Sequence, residues 1–176
     1  MRKVIVLVLL GVLTMSSLAL AATAYGGGAG SRSVQVLDDC DAETFNEALG
    51  PEACVKDGDV TFAELIGQLL SMGEAPAWRN APEHLKLADG GTVRATNRGG
   101  EFHTFTPVAE FGGGCVDELN DLLGLEPVAE CANPSFVFGV TGIAPGDTYQ
   151  TDPLAPGTHL FECLIHPWMR TTVTVD

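Results

Sequence analysis

The stretch Cys163-Leu-Ile-His-Pro-Trp-Met169 places a thiolate, an imidazole and a thioether within seven residues. A loop of this length can wrap Cys163, His166 and Met169 around a single metal ion. Cysteine sulfur, histidine nitrogen and a weak axial methionine belong to the donor set of a blue-copper electron-transfer site, which also requires a second histidine. The motif therefore predicts a copper site that another part of the chain completes.

The residues around this motif resemble a known family. Residues 157–175, GTHLFECLIHPWMRTTVTV, closely resemble the last two strands and the ligand loop of cupredoxins, with the short Cys-to-Met spacing of amicyanins. Residues 97–106, NRGGEFHTFT, resemble the cupredoxin strand end that supplies the first histidine ligand. The resemblance covers most of the chain, and it implies that His103 is the second histidine.

The resemblance implies a type 1 site that holds one copper ion. His103, Cys163 and His166 would form the plane of ligands, and Met169 would add a long axial bond that tunes the reduction potential. Many cupredoxins have asparagine directly after the first histidine, where it supports the thiolate, whereas this chain has Thr104. The hydrogen bonding to the Cys163 sulfur is therefore left open.

The resemblance also implies a place for redox partners to dock. In cupredoxins the loop histidine has its ring edge at the surface within an apolar patch, which Pro167 and Trp168 would form here. Core packing of Trp168 is the alternative, because tryptophan is often largely buried. We interpret the run Gly112-Gly113-Gly114 as lying at the same end of the barrel, where it permits close approach of a partner.

Two further histidines are not expected to bind the metal. His159 precedes Cys163 by four residues, so on a regular strand the two side chains share a face. Relatives tend to have tyrosine there, and we expect a structural role for His159. His84 lies in a strand-like stretch without metal-type neighbours and is expected to face solvent.

The N-terminus has the features of a secretory signal. A basic start at Arg2 and Lys3 is followed by apolar runs and by small residues at 22–24. This order matches the three regions of a signal peptide, so residues 1–24 are predicted to be one and the protein to be secreted or periplasmic. An uncleaved N-terminal membrane anchor is the alternative, because the apolar stretch is just long enough to span a bilayer.

The rest of the chain is expected to form a tethered domain. Residues 25–32 are glycine-rich and are predicted to be a flexible linker. Residues 33–176 are then long enough for one domain with a substantial core. Within it, residues 39–77 are predicted to be a helical insertion, and the alternative is that residues 33–75 form a separate small cap.

The charge of the mature chain limits its partners. Without the first 24 residues, 7 basic residues face 23 acidic ones, a net charge of about −16. Nucleic acid and anionic lipid surfaces are therefore poor partners. Redox proteins with basic docking surfaces are the expected partners, because opposite charges accelerate association at low salt. Solubility or a salty habitat is the alternative explanation of the charge. We expect a monomer with no membrane insertion after signal cleavage.

Five cysteines in an exported chain leave one unpaired. Cys163 lies in the ligand loop, so the other four remain to form disulfides. Four cysteines allow three connectivities. Sequential pairing closes two short loops and predicts Cys40–Cys54 and Cys115–Cys131, each contributing about 3 kcal/mol by loop closure.

Hydrophobic patterns predict an all-β fold with helical additions. Residues 33–38 alternate as a half-buried strand does, whereas residues 42–49 and 61–72 have helical spacing, with Asp59 or Thr61 as the cap of the second helix. Strands are predicted in residues 78–87, 93–95, 102–108 and 136–140, and after residues 146 and 157. Residues 117–125 are predicted to be a short helix inside the disulfide-closed loop. Short strands separated by turns indicate a β-sandwich, and the resemblance to cupredoxins implies a cupredoxin-like Greek-key β-sandwich or barrel.

These features favour a one-electron carrier in an exported redox system. Copper storage, sensing or delivery without electron transfer is the alternative, although delivery sites favour exposed donors that release the ion. An enzyme is not expected, because four histidines, two of them assigned, are too few for a trinuclear copper cluster. The chain also lacks a Ser-His-Asp or metallohydrolase signature.

Overall fold

A computed structural model of the protein describes residues 30–176. The predicted signal peptide and most of the predicted linker lie outside this range. The elements in chain order are β1 (Ser31–Leu37), α1 (Ala42–Leu49), α2 (Phe62–Met72), β2 (Arg79–Ala81), β3 (His84–Leu87), β4 (Thr92–Asn97), β5 (His103–Thr104), β6 (Thr106–Val108), α3 (Asp117–Leu123), a 3-10 helix (Ala129–Ala132), α4 (Pro134–Val140), β7 (Gly142–Ile143), β8 (Thr148–Gln150), β9 (Gly157–Glu162) and β10 (Arg170–Val175).

Two four-stranded sheets form the body of the protein. One has the order β2-β1-β4-β8 and the other β3-β10-β9-β6, while β5 and β7 form a separate pair. Alternating side chains explain the packing: Val34 and Val36 of β1 are fully buried, and Gln35 between them is exposed. The buried faces of both sheets contribute to one apolar cluster, which includes Val93, Phe161 and the ligand-loop residue Met169.

The segment between β1 and β2 is helical, as its apolar spacing predicts. Thr61 and Glu64 form a capping box at the start of α2, and Gly73 ends the helix in a left-handed conformation. Phe45 of α1 is fully buried and stacks on Trp78, with ring centroids 5.8 Å apart. The helical segment therefore shares its core with the sheets.

Both disulfides have the predicted pairing. Cys40–Cys54 closes the start of the helical segment, and Cys115–Cys131 closes the loop that contains α3. Cys163 is the free cysteine of residues 30–176, and it is buried.

Four predicted elements differ from the structure. The strand predicted at 102–108 is divided into β5, which pairs with β7, and β6, which pairs with β9. The strand predicted at 78–87 is divided into β2, which pairs with β1, and β3, which pairs with β10 in the other sheet. β1 begins at Ser31, two residues before the predicted start of the domain. The strand predicted at 136–140 is the helix α4, because Asn133 caps it through the backbone N–H of Phe136 and Pro134 occupies its first turn.

Helices make up about 25% of the residues, so the all-β expectation holds for the two sheets but understates the helical part. No helix within residues 30–176 is long and apolar enough to cross a membrane.

Candidate metal centre

Three of the four predicted ligands meet in a buried cluster at one end of the sandwich. The Cys163 Sγ lies 3.7 Å from His103 Nδ1 and 3.8 Å from His166 Nδ1. The two Nδ1 atoms are 3.2 Å apart. Within residues 30–176 this is the one group of three histidine, cysteine or acidic side chains close enough to hold a metal ion.

The ligand loop owes its shape to hydrogen bonds between its own ends. Cys163 follows the last residue of β9, and its backbone N–H donates to the Met169 carbonyl at 3.0 Å. The Met169 N–H in turn donates to the His166 carbonyl at 2.9 Å. The loop therefore closes between β9 and β10 with the fully buried Met169 at its end.

Thr104 connects the His103 strand to this loop. Its backbone N–H donates to the Cys163 Sγ at 3.4 Å, and its hydroxyl accepts a hydrogen bond from the Leu164 N–H at 2.8 Å. The sulfur thus receives a backbone hydrogen bond directly after the first histidine, and the threonine hydroxyl holds the loop beside it.

The glycine run at 112–114 lies at the same end of the molecule, as predicted, but it permits approach of the ligand loop. A Cβ at Gly114 would lie 2.5 Å from the Leu164 carbonyl oxygen. The Cys115 N–H donates to that same oxygen at 2.6 Å. The predicted role of the run in approach of a partner is therefore wrong for Gly114, whose missing side chain makes room for the protein's own loop.

Arg170 and Glu162 secure the base of the loop. The Arg170 guanidinium donates to the Glu162 carboxylate at 3.2 Å and to the carbonyls of Pro167 and Gly112. Burial raises the pKa of Glu162 to about 7, although Arg170 and the Gly112 N–H act in the opposite direction. Loop, glycine run and β10 are thereby held together.

Asp38 is a residue of the candidate site that the motif did not reveal. Its Oδ2 lies 2.7 Å from His103 Nε2, and both side chains are fully buried. The Gly100 N–H donates to its Oδ1 and the Glu101 N–H to its Oδ2. A Cβ at Gly99 would overlap this carboxylate. The glycine pair before His103 was the available signal, since it indicates close approach of another group.

The charges around His103 are strongly coupled. Burial would lower the pKa of His103, but its hydrogen bonds with Asp38 and Cys163 and their negative charges raise it to about 10. Burial would raise the pKa of Asp38, but the same histidine and the amides of Gly100 and Glu101 lower it to about 2. Burial would likewise raise the pKa of Cys163, but both histidines hold it well below its usual value. The metal-free site therefore contains a thiolate beside an imidazolium.

A second carboxylate lies behind His166. Glu101 Oε2 is 3.5 Å from His166 Nε2 and accepts a hydrogen bond from Trp78 Nε1 at 2.5 Å. Both imidazoles thus have a carboxylate at Nε2 and direct Nδ1 toward the sulfur, an arrangement that fixes ring orientation and raises ligand basicity.

The predicted surface patch is wrong for this chain. His166 is only 4% exposed, Pro167 is buried and Trp168 is half-buried. Trp168 packs edge-on against His166, with ring centroids 5.4 Å apart. The alternative reading of Trp168, packing, is the better description.

The other two histidines lie as expected. His84 is exposed on β3. His159 is half-buried on β9, and its Nε2 lies 2.8 Å from the Ala155 carbonyl oxygen, outside the cluster.

The donor set fits a soft metal ion. One thiolate and two imidazole nitrogens suit copper or zinc, whereas magnesium and calcium prefer oxygen ligands. The nearby carboxylates are engaged at the far nitrogen of each imidazole, so they support the rings from outside the cluster.

Several known structures are similar to this chain at low sequence identity. A purple cupredoxin from Nitrosopumilus maritimus is 18% identical, covering 82% of this chain and 98% of that one, with a TM-score of 0.44. The oxidised plastocyanin from Dryopteris crassirhizoma is 16% identical, covering 82% and 100%, with a TM-score of 0.40. A reduced amicyanin variant is 23% identical, covering 53% and 70%, with a TM-score of 0.34.

Neither a family model nor a curated protein sequence matches this chain. The function proposed below therefore rests on the chain's own donor residues and their surroundings.

Proposed function

We propose that the protein is a type 1 copper protein that carries single electrons in an exported redox system. The observation that carries the proposal is the buried Cys163 thiolate, with the Nδ1 atoms of His103 and His166 within 3.8 Å of its sulfur. Met169, buried at the end of the same loop, is proposed as the axial ligand.

When bound, copper would supply a one-electron couple between Cu(I) and Cu(II). The chain's contribution is to hold its ligands in fixed positions. Asp38 accepts the Nε2 proton of His103, which leaves Nδ1 as the donor atom. Thr104 fixes the sulfur and its loop. Because the surroundings exclude water, these positions can persist through a change of oxidation state.

Storage or delivery of copper is not favoured. A carrier that hands over its ion needs accessible ligands, whereas Cys163 and His103 are fully buried here and His166 nearly so. We also propose that the chain is not an enzyme.

The wider assignments are part of the same proposal. We propose a Greek-key cupredoxin connection for the two sheets, with residues 39–77 as an insertion in one domain. Signal cleavage after residue 24, a secreted or periplasmic location and a monomeric state are proposed with it. Two disulfides support an oxidising compartment.

Voltammetry combined with copper-release kinetics tests the assignment. The copper-loaded protein should give a reversible one-electron wave and retain its ion against a chelator in both oxidation states. His103→Ala should accelerate copper release, because it removes a ligand, while His84→Ala serves as the matched exposed control. Rapid release of Cu(I) from the unaltered protein would favour delivery instead.

A further inference from the structure

The helices cover His166 but leave a groove that reaches it. This apolar groove lies between α1, α2 and α3 and has a volume of about 630 Å³. Its walls include Phe62 and Ile66 of α2 and Leu119 and Leu122 of α3, and His166 lies among its lining residues. A partner seated in this groove would therefore contact a predicted ligand.

The apolar surface continues beyond the groove. Leu49, which also lines it, is 56% exposed. Leu70 follows Ile66 by four residues on the same helix face and is 66% exposed. Exposed apolar side chains grouped beside a concave site are typical of an interaction surface.

The helices around the groove carry charge of one sign. Their sequences contain six acidic residues and no basic residue. Glu118 of α3 lines the groove and is exposed, and Asp121 follows it by three residues, also exposed. The surface therefore combines an apolar floor with an acidic rim.

We infer that this groove is the docking site for a basic redox protein that inserts an apolar side chain beside His166. The inference rests on the proposed function. One electron passes from the reduced protein to the oxidised partner, and no atom or proton is transferred. Lysine and arginine side chains around the inserted group would face the acidic rim, which accelerates encounter and fixes orientation.

A neutral small molecule is the competing occupant. It could fill the apolar groove, but an uncharged ligand gains little from the acidic rim. The single sign of charge on α1, α2 and α3 therefore favours the basic protein.

The test measures electron exchange between the reduced, copper-loaded protein and an oxidised basic c-type cytochrome by stopped flow at several salt concentrations. Leu122→Gln alters the groove wall, with Val140→Thr on α4 as the control for loss of exposed apolar surface. Glu118→Gln with Asp121→Asn alters the rim. The control with the same charge change is Asp89→Asn with Asp152→Asn. The Asp89 N–H donates to the Asp176 carbonyl, which follows the end of β10 that is farther from the ligand loop.

Leu122→Gln should slow exchange roughly tenfold at every salt concentration, because it weakens the contact itself. The rim variant should slow exchange roughly threefold at low salt and hardly at all at high salt. Each control should behave like the unaltered protein. Amide NMR shifts caused by the cytochrome in the reduced protein should map to α1, α2 and α3.

Unchanged exchange in Leu122→Gln would overturn the inference. Equal slowing by the rim variant and its charge control would show that net charge, and no particular surface, steers the partner. Slowing by Leu122→Gln without any effect of the rim variant would overturn the role of the acidic rim in recognising a basic partner. Failure of the proposed function is distinct, because the protein would then lack a reversible copper couple before any partner is added.

Discussion

Two regions enclose the candidate metal centre, and they differ in how far apart in the sequence their residues lie. The ligand loop between β9 and β10 supplies Cys163, His166 and Met169 from seven consecutive residues. The cover on the other side combines residues that are distant in the chain, with Trp78 and Glu101 behind His166 and the helices α1, α2 and α3 around it. The loop thus supplies three of the four proposed ligands, and the cover sets the charge around the cluster and the access to it.

Of the substitutions considered, Asp38→Asn should have the largest effect on copper affinity and on the midpoint potential. It removes the buried negative charge at His103 Nε2, so Cu(II) affinity should fall by about 10- to 100-fold and the midpoint potential should rise. Competition titration with a chelator and voltammetry would measure both. Asp39→Asn is the matched control, because Asp39 is exposed and adjacent. Equal behaviour of the two variants would mean that Asp38 does not act on the metal site.

The pH dependence of metal-free stability tests the coupled charges. Below about pH 6.5 the unfolded chain protonates His103 while its Cys163 is still a thiol, so it binds one proton more than the folded site. Glu162 acts in the opposite direction, because its folded pKa of about 7 lies above its ordinary value of 4.5 and the folded chain keeps that proton longer. The two contributions nearly cancel, so stability should form a plateau between about pH 4.5 and 9.0. Above 9.0 the folded site retains the His103 proton up to a pKa of about 10, and stability should fall.

Urea denaturation across this range would show the profile, and Cys163→Ser should abolish the plateau. Without the thiol, the contribution of Cys163 to the pH dependence is gone. The raised pKa of His103 then makes the free energy of unfolding fall as pH rises above about 6.5. A plateau that persists in Cys163→Ser would contradict the thiolate–imidazolium pair.

The residues that meet in the buried cluster could be predicted from the sequence, because two of them lie in one contiguous loop. The two disulfides could also be predicted, since sequential pairing closes short loops. Asp38 and Glu101 could not, because each acts through a contact that the fold creates, at the end of β1 and before β5. Glycines 99 and 100 marked a close approach without naming the group that makes it.

The errors in the sequence predictions have local causes. Aromatic and β-branched residues favoured a strand at 136–140, but the cap at Asn133 and the proline after it start a helix. The surface patch at Pro167 and Trp168 was inferred from the family resemblance alone. Here the cover buries His166 and places the accessible apolar surface on the helices.

Thr104→Val should have a moderate effect on stability. It keeps the shape of the side chain but leaves the Leu164 N–H without its acceptor, so stability should fall by about 1–3 kcal/mol. Chemical denaturation would measure the loss. Thr148→Val is the control, because its hydroxyl pairs with Thr96 at the surface. Similar losses in both variants would show that the Thr104 hydroxyl has no special role.

Glu101→Gln should have the smallest effect. It removes the charge at 3.5 Å from His166 Nε2 but retains an oxygen acceptor for Trp78. The midpoint potential should rise, by less than in Asp38→Asn, because the contact to the imidazole is longer. Glu118→Gln, in the wall of the same groove, should leave the potential unchanged. A larger shift in Glu101→Gln than in Asp38→Asn would reverse the proposed order of the two carboxylates.

Visible absorption during a Cu(II) titration tests the central claim most directly. We expect an intense thiolate-to-copper band that saturates at one equivalent of copper and is absent in Cys163→Ser. His103→Ala should alter the band by removing a ligand from the plane. A protein that binds one equivalent of Cu(II) and stays colourless would contradict the type 1 assignment.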